Sequence, residues 1–406
     1  MNQGGLFISY DGLLDPLGES QILPYVCGLA RGRRMCVLSF EKAARFSAGG
    51  AEMAARLREQ GIEWRPLRFS RGAVGKVWDL LRMYTVALWL GGRERLLVAH
   101  CRGHLAAQVG YMLKVVLGMR LLFDFRGLWV DERVDKGSWD LSRRPHRWAH
   151  AMFKRVERSL VRAADHIVVL THAVVPTMQG MGAQRQQITV IPCCADYTHF
   201  NVADDFGRAA ARERLGLPRD GTVVCYLGSM GRMYMTEQFL DVAEAAVECG
   251  QVSAVLCITP DLESIARAIE ARGWDGRGIR HVAVAARRDQ VPAMLAAADV
   301  LVSFFLPTPA RIATSPTKMA ECFAQGIPMV TNPGVGDVAA LIACLQGGLL
   351  VDASDSRAMR QAAQRLQDVA ALGGERLREA SRPLLGLDHA NAQYQSVYEI
   401  LETRPC

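Results

Sequence analysis

The strongest constraint on how this chain can fold is a rhythm. Short apolar runs rich in β-branched residues alternate with longer amphipathic segments almost from end to end. The first six runs are LFISY (6–10), MCVLSF (35–40), LLVAH (96–100), LLFDF (121–125), HIVVLT (166–171) and ITVIP (188–192). Five more follow: TVVCYLG (222–228), SAVLCIT (253–259), RHVAVA (280–285), VLVSFF (300–305) and IPMVTN (327–332). A short strand that is apolar on both faces needs cover on both faces, which is the condition of a parallel sheet sandwiched by helices. At 406 residues the chain is too long for one ordinary core. The expected class is α/β, with two doubly wound Rossmann-like domains over residues 1–192 and 193–387 facing a cleft. One long helix is expected over roughly 354–382, and a last helix over 388–403 is expected to pack back on the first domain. Ligands of doubly wound sheets gather beyond the carboxyl ends of the strands, so the loops leaving those strands are where chemistry is sought.

Composition narrows the setting. Residues 1–191 hold 28 Lys and Arg against 16 Asp and Glu, whereas the remainder is net acidic. A basic half beside an acidic one points the first domain toward something anionic: a membrane surface or an anionic substrate. No nucleic-acid-binding signature accompanies the charge, so no nucleic-acid partner is expected. The Trp- and Arg-rich stretch 129–158 is the expected membrane contact, the alternative being a helix surface that is merely basic. The amino terminus enters a strand-like run with neither a basic leader nor a cleavage site. The most apolar segments, 77–90 and 104–123, are interrupted by Asp79, Arg82 and Lys114 and do not read as membrane spans. Eleven cysteines without a CxxC pair suggest a reduced, cytoplasmic protein, on the inner face of the membrane if the basic half engages it.

Several chemistries lack their motifs. No G-x-G-x-x-G follows the first strand and no G-x-x-x-x-G-K-[ST] occurs, which removes the main support for a dinucleotide oxidoreductase or a P-loop NTPase. No nucleophile elbow is visible, and the nine histidines show no metal-type clustering, so neither a metal nor another cofactor is expected.

Four strand-end loops remain. In SYDGLLDPLGESQILPY (9–25) the chain turns at Gly18, where backbone N–H groups either face a phosphate or a sugar hydroxyl or form an ordinary turn. FDFRGLWVDERVDKGSWD (123–140) crowds Asp124, Arg126, Asp131 and Glu132 beside Trp129 and Trp139; it suits a polyhydroxylated ligand, or is a self-paired loop. YLGSMGRMYMTEQFLD (226–241) places Arg232 where a guanidinium can grip a diphosphate, or simply lie on the surface. SPTKMAECFAQGIPMV (315–330) reads as a helix capped by Ser315, with Pro316 first and Gly326 at its end. Lys318 then opposes the helix dipole unless an anion sits there too, and Glu321 shares its face. The alternative is an ordinary solvated lysine at Lys318. His100, at the expected end of a strand and followed by Arg102, is placed for the site.

Taken together these pieces resemble the family 4 glycosyltransferases, retaining nucleotide-sugar enzymes of the GT-B fold. ITVIPCCADYTHF looks like that family's interdomain linker, with Cys193 where Asn is common. RERLGLPRDGTVVCYLGSM and DQVPAMLAAADVLVSFF match segments of its second domain. YDGLLDPLGESQILPY, FRGLWVDERVD and SPTKMAECFAQGIPMVTNPGVGDV are similar to a subgroup with DPLG-x-SQ, RG-x-W-x-DERVD and SPTK motifs.

The resemblance implies a set of roles. Arg232, Lys318 and Glu321 form the catalytic set, the cations on the donor's diphosphate and Glu321 on its ribose. Gly18, Gly228, Ser229, Ser315, Thr317, Gly334 and Val335 line the donor. Asp11, His100, Arg102, Arg126, Asp131 and Glu132 lie on the acceptor side. The family's first paired glutamate falls on Ala313, with the Ser315 and Thr317 hydroxyls as substitutes. The implied activity is retaining sugar transfer from a nucleoside-diphosphate donor to a glycan or lipid-linked acceptor, in polysaccharide or glycoconjugate synthesis. A non-catalytic sugar-binding or scaffold subunit is the alternative, and a nucleotide-sugar epimerase a third.

Overall fold

The computed structural model describes residues 4–403. Its strands form two wholly parallel sheets. The first comprises β1 (Gly4–Ser9), β2 (Arg34–Glu41), β3 (Ile62–Arg68), β4 (Val98–Arg102), β5 (Arg120–Phe125), β6 (His166–Val169) and β7 (Ile188–Val190), in the order β3-β2-β1-β4-β5-β6-β7. The second comprises β8 (Val223–Leu227), β9 (Ala254–Ile258), β10 (His281–Val284), β11 (Val300–Val302), β12 (Met329–Thr331) and β13 (Gly348–Leu350), in the order β10-β9-β8-β11-β12-β13. The expectation of an α/β protein with two doubly wound sheets is met.

Two strands escape the sequence pattern, and both are edges. IEWRPLR alternates polar and apolar residues, and β3 is only half-buried. It carries Pro66, which an edge strand tolerates because one side of its ladder is unpaired. GLL in β13 is too short to register as a run. Central strands such as β1, β4 and β8 are buried at every position, as cover on both faces requires.

The chain divides into two compact units. The first takes the chain through Pro192, the segment Ile312–Thr314 and everything from Ala390; the second takes Cys193–Arg311 and Ser315–His389. In the first unit, the helices Gly72–Glu94, Gly103–Leu117 and Arg144–Ala163 connect strands that step one way along the sheet. Right-handed crossovers therefore place them on one face. Cys101 Sγ and Leu121 Cδ1 meet Gly110 there, so closely that a Cβ on that glycine would lie 2.3 Å from the sulfur. The opposite face receives the helix Leu387–Thr403: Tyr398 presses on Gly5, Tyr394 lies 5.2 Å from Tyr25 ring to ring, and Arg33 pairs with Glu402 at 2.9 Å.

In the second unit, β8 sends Val223, Cys225 and Leu227 to one core and Val224 and Tyr226 to the other. The single helix expected over 354–382 is three: Ser356–Ala363, Leu366–Ala370 and Glu375–Leu385. The second of the two breaks includes Gly373–Gly374, where Gly374 N–H donates to Gly326 O at 2.8 Å. A Cβ on Gly326 would lie 2.6 Å from Gly374 O, so this backbone-to-backbone approach needs glycine and interrupts the helix. No helix among the described residues is long and apolar enough to cross a membrane, and their cysteines are all free thiols.

Candidate functional site

In the second unit the strand order reverses between β8 and β11, which opens a crevice at their carboxyl ends. The chain leaves β8 through Gly228 (φ +110°) and Gly231 (φ +116°), makes a 3₁₀ turn over Arg232–Tyr234, and enters the helix Thr236–Glu248. The turn is fixed internally. Tyr226 OH donates to Ser229 O at 2.5 Å, Met230 N–H to Asp261 Oδ2 at 2.8 Å and Gly231 N–H to Thr236 Oγ1 at 2.9 Å.

Across the crevice, the helix Thr317–Ala324 brings Lys318 in its first turn. The ammonium donates to Ser303 Oγ at 3.3 Å and lies 5.1, 5.2 and 5.6 Å from the ring centroids of Tyr226, Tyr234 and Phe305. Gly228 lies directly against it; a Cβ there would stand 3.1 Å from Nζ. Three aromatic faces stabilise the cation, yet burial, aided by the charge of Arg311, lowers its pKa to about 8. Among the described residues it makes no ion pair.

Two further cations share this mouth. Arg311 donates from Nη2 to Met233 O at 3.1 Å, places its guanidinium 5.7 Å from the Phe305 centroid, and leaves a buried Nε unbonded. Arg232 stands exposed at the start of the turn that carries Met233 and Tyr234. Neither arginine makes an ion pair among the described residues. Lys318 and Arg311 act on one another as like charges, and an anion in the crevice would relieve both, with Arg232 on the adjoining turn. Sequence reasoning named Lys318 and Arg232 but not Arg311, which no motif singles out. Asn332 was missed too: it accepts from Phe305 N–H at 2.8 Å and donates to Phe305 O at 2.9 Å, which clamps the ring beneath Lys318.

Other expectations need correction. Ser315 does not cap the helix; Pro316 holds the cap position in an extended conformation. The Ser315 hydroxyl instead accepts from Cys193 N–H at 3.1 Å, while Thr317 opens the helix half-buried. Glu321 is only partly available as an acceptor, because Arg288 Nη1 donates to its Oε1 at 2.6 Å. Arg288 lies over the Phe200 ring and was not foreseen, although it stands three residues before a helix the sequence did show. Gly334 (φ +87°) makes the expected turn, but the Val335 side chain is in the core, so any ligand contact there runs through backbone. Ala313 ends the 3₁₀ turn Pro309–Ala313 and is buried.

The first unit has its own reversal point, between β1 and β4. Arg102 ends β4, with Nε 3.9 Å from Asp11 and Nη1 3.7 Å from Asp124, and donates to Gln21 O at 3.1 Å. Arg126 Nη1 lies 3.4 Å from the other Asp124 oxygen. Burial opposes ionisation of Asp124, yet Arg126, His100 and Arg102 together hold it well below the usual carboxylate range. Asp11, Arg102 and Arg126 are thus brought together, Asp11 on the open side.

His100 is not. β4 runs to Arg102 rather than ending at residue 100, which leaves His100 mid-strand and fully enclosed. Its ring packs 4.4 Å from Phe7 and its Nδ1 lies 3.2 Å from Tyr398 OH, and burial lowers its pKa. Asp131 is paired with Lys154 at 2.8 Å and His150 at 3.4 Å, and Glu132 with Lys136 at 2.8 Å, so the self-paired alternative describes them. The Trp129 face expected to meet a sugar is stacked between His104 and Arg133. Gly18 is required for packing, since a Cβ would lie 2.0 Å from Gly12 O. The Leu13 and Leu14 N–H groups of that loop donate to buried Glu41 at 2.8 and 3.3 Å and are not free for a phosphate. A cavity of about 550 Å³ lies beyond β2 and β3, lined by Glu41, Phe46, Pro66, Arg68 and Arg82; the sequence did not suggest it. Among the described residues no three His, Cys, Asp or Glu side chains are grouped to hold a metal.

Residues 24–194 match the family described as glycosyl transferase 4-like domain, and residues 221–368 match glycosyl transferases group 1. Together the two matches span most of the chain. It belongs to the family 4-like glycosyltransferases of the GT-B fold. No curated protein matches this glycosyltransferase in sequence. Among solved structures it is similar to a sucrose-phosphate synthase (tll1590) from Thermosynechococcus elongatus, at 19% identity and TM-score 0.72, over 98% of this chain and 99% of that one. It is also similar to Anabaena Alr3699/HepE, solved in complex with UDP and glucose, at 15% identity and TM-score 0.70, over 98% and 100%. A third is the catalytic domain of starch synthase IV from Arabidopsis thaliana, solved with ADP and acarbose, at 12% identity and TM-score 0.63, over 99% of each. At these identities the likeness is one of fold. The glycosyltransferase is therefore an enzyme of GT-B type, and the scaffold alternative is set aside.

Proposed function

We propose that this glycosyltransferase moves a sugar from a nucleoside-diphosphate donor to a glycan or lipid-linked acceptor, with retention at the anomeric carbon, in synthesis of a cell-surface polysaccharide or glycoconjugate. The observation that carries the donor assignment is Lys318 and Arg311, close together and without an ion pair among the described residues at the reversal point of the second sheet, with Arg232 on the adjoining turn. A diphosphate is the doubly charged, oxygen-rich group that such a set neutralises. The structures of Alr3699/HepE with UDP and of starch synthase IV with ADP lend support by analogy of fold.

In the proposed step, the bond from the anomeric carbon to the diphosphate oxygen breaks and an acceptor hydroxyl attacks on the same face. Its proton passes to the departing phosphate. The residues contribute by stabilising charge on the leaving group, which fixed cations do without reorganising. Glu321 keeps Oε2 for a ribose hydroxyl while Oε1 is held by Arg288. In the first unit, Asp11, Arg102 and Arg126 and the cavity beside Arg68 and Arg82 are assigned to the acceptor. Charge neutralisation is assigned to side chains, so the proposal includes a turnover indifferent to EDTA.

A screen of UDP-, GDP- and ADP-sugars tests the reading, with the thermal midpoint and nucleoside-diphosphate release as readouts. One donor should raise the midpoint, and its release should depend on acceptor. A midpoint unmoved by every donor removes the assignment. Conversion of the donor to its epimer without acceptor and without net nucleotide release would replace transfer by epimerisation.

A further inference from the structure

The surface of the first unit carries an apolar ridge beside a cationic one. The helix Gly72–Glu94 buries Asp79, Met83, Ala87 and Leu90 against the sheet. Its opposite side should be polar in a helix that faces water. Instead Val74, Val77, Trp78, Leu81, Leu88 and Trp89 stand outward, with Val74 84%, Trp78 58% and Trp89 50% exposed. These positions recur every three or four residues apart from the step from Leu81 to Leu88, where Thr85 is exposed, so they form one stripe along a helix of about 34 Å. The two tryptophans, eleven residues apart, lie on the same side about 16 Å from each other. The stripe continues onto the neighbouring helix: Leu117, at the end of Gly103–Leu117, meets Gly91 so closely that a Cβ there would stand 2.9 Å away, and Val115 and Val116 beside it are exposed.

Charge on this face has one sign. Both acids of the Gly72–Glu94 helix, Asp79 and Glu94, are buried. Lys76 within the helix, and Arg71 and Arg95 at its ends, are exposed and make no ion pair among the described residues. Two helices over on the same face, Arg144–Ala163 turns Arg144, Arg147, Arg155 and Arg158 outward with Trp148. None of these arginines makes an ion pair among the described residues, and the helix exposes no acid. Neighbouring packed helices lie 8–10 Å apart, so the two ridges run about 20 Å from each other.

We propose that this face docks on a lipid surface bearing anionic headgroups, with Trp78, Trp89 and the apolar stripe entering the headgroup–acyl boundary and the Arg144–Ala163 ridge held over the phosphates. Charge complementarity selects this occupant. A second copy of the chain would bring two cationic faces together and be repelled. The cationic ridge lies within the segment 129–158 that the sequence suggested, but the apolar anchor does not. Trp129 and Trp139 in segment 129–158 pack on each other and on Arg133, and the apolar anchor comes from the helix that was too interrupted to span a membrane. The assignment rests on the first unit's surface alone, so it stands or falls apart from the donor site.

The test is sedimentation of the full chain with phosphatidylcholine vesicles, with or without 30% phosphatidylserine (about that fraction suffices for a strongly negative surface). Binding is expected to the anionic vesicles only and to weaken as salt is added. Reversing Arg147, Arg155 and Arg158 to Glu is expected to weaken it by a hundredfold or more, at about fivefold for each arginine removed. Trp78→Ser with Trp89→Ser should weaken it about tenfold. In a separate readout that spares the fold, acyl-brominated lipid should quench the wild-type fluorescence, and Trp78→Phe with Trp89→Phe should abolish most of that quenching while binding persists. Equal sedimentation with neutral and anionic vesicles overturns the proposal. So does quenching unchanged by the Phe pair, or concentration-dependent dimerisation that the Ser pair abolishes without lipid binding. Nucleotide-induced thermal stabilisation should be the same in all these variants.

Discussion

Lys318 offers the sharpest test, because its protonation and the bound anion are linked. Burial and Arg311 lower its pKa from 10.5 to about 8. A diphosphate beside the ammonium favours the charged form and returns the pKa toward its ordinary value. The sign follows: the ligand-bound state holds more protons than the free state between the two values, so binding takes up protons there and weakens as pH rises. At pH 9 the free lysine is about one-tenth protonated and the bound one almost fully, which gives an uptake of about 0.9 proton per ligand. The dissociation constant should rise about tenfold from pH 7 to pH 9. The ligand to use is a nucleoside-diphosphate sugar, whose diphosphate diester has no proton to lose in this range. Titration calorimetry in two buffers of different ionisation enthalpy reads the uptake directly. Lys318→Arg, charged throughout, should bind with a flat profile. Identical heats in both buffers, together with a constant affinity between pH 7 and 9 in the wild type, would refute the placement of Lys318 on the diphosphate.

Other consequences are simpler to measure. Lys318→Ala, Arg232→Ala and Arg311→Ala should each lower turnover by about a hundredfold, as for other fixed charge stabilisers; Arg311→Ala with normal kinetics would remove it from the trio. Gly18→Ala should destabilise the first unit by about 1–3 kcal/mol in urea unfolding, since the new methyl meets the Gly12 carbonyl and cannot be accommodated by a side chain moving. Arg378 is buried and donates to Phe200 O and Tyr197 O, each at 2.5 Å, and to Ala324 O. Arg378→Met leaves these carbonyls unpaired and should cost about 3 kcal/mol of the second unit's stability, with donor affinity unchanged in whatever protein remains folded.

Much of this was legible in the sequence because it is local. The periodicity of apolar runs exposes every central strand, since a strand covered on both faces has to be apolar at each position. Edge strands escape that rule: β3 mixes charge with apolar residues because one flank is open, and β13 is three residues long. The Gly228 and Gly334 turns could be seen because positive φ demands a particular residue type. Lys318 could be suspected because a lysine in a helix's first turn is out of place without an anion.

What the residues alone determined, then, was the class of fold, the turns that require glycine and the two cations that sit in motifs. Only tertiary structure decided which charged groups stay unpaired. Arg311 is one of 48 basic side chains in the sequence and becomes distinctive when its neighbours turn out to be Met233, Phe305 and Lys318. His100, Asp131 and Glu132 look like open site residues until Tyr398, Lys154 and Lys136 arrive from elsewhere in the chain or from the next helical turn to occupy them, and Arg288 takes one oxygen of Glu321. The apolar ridge likewise has the composition of a core helix, and its exposure follows from having nothing packed over it. The physical reason is common to all three. Conformational preference is set within a few bonds, whereas the availability of a charge or an apolar face depends on what the remainder of the chain places against it.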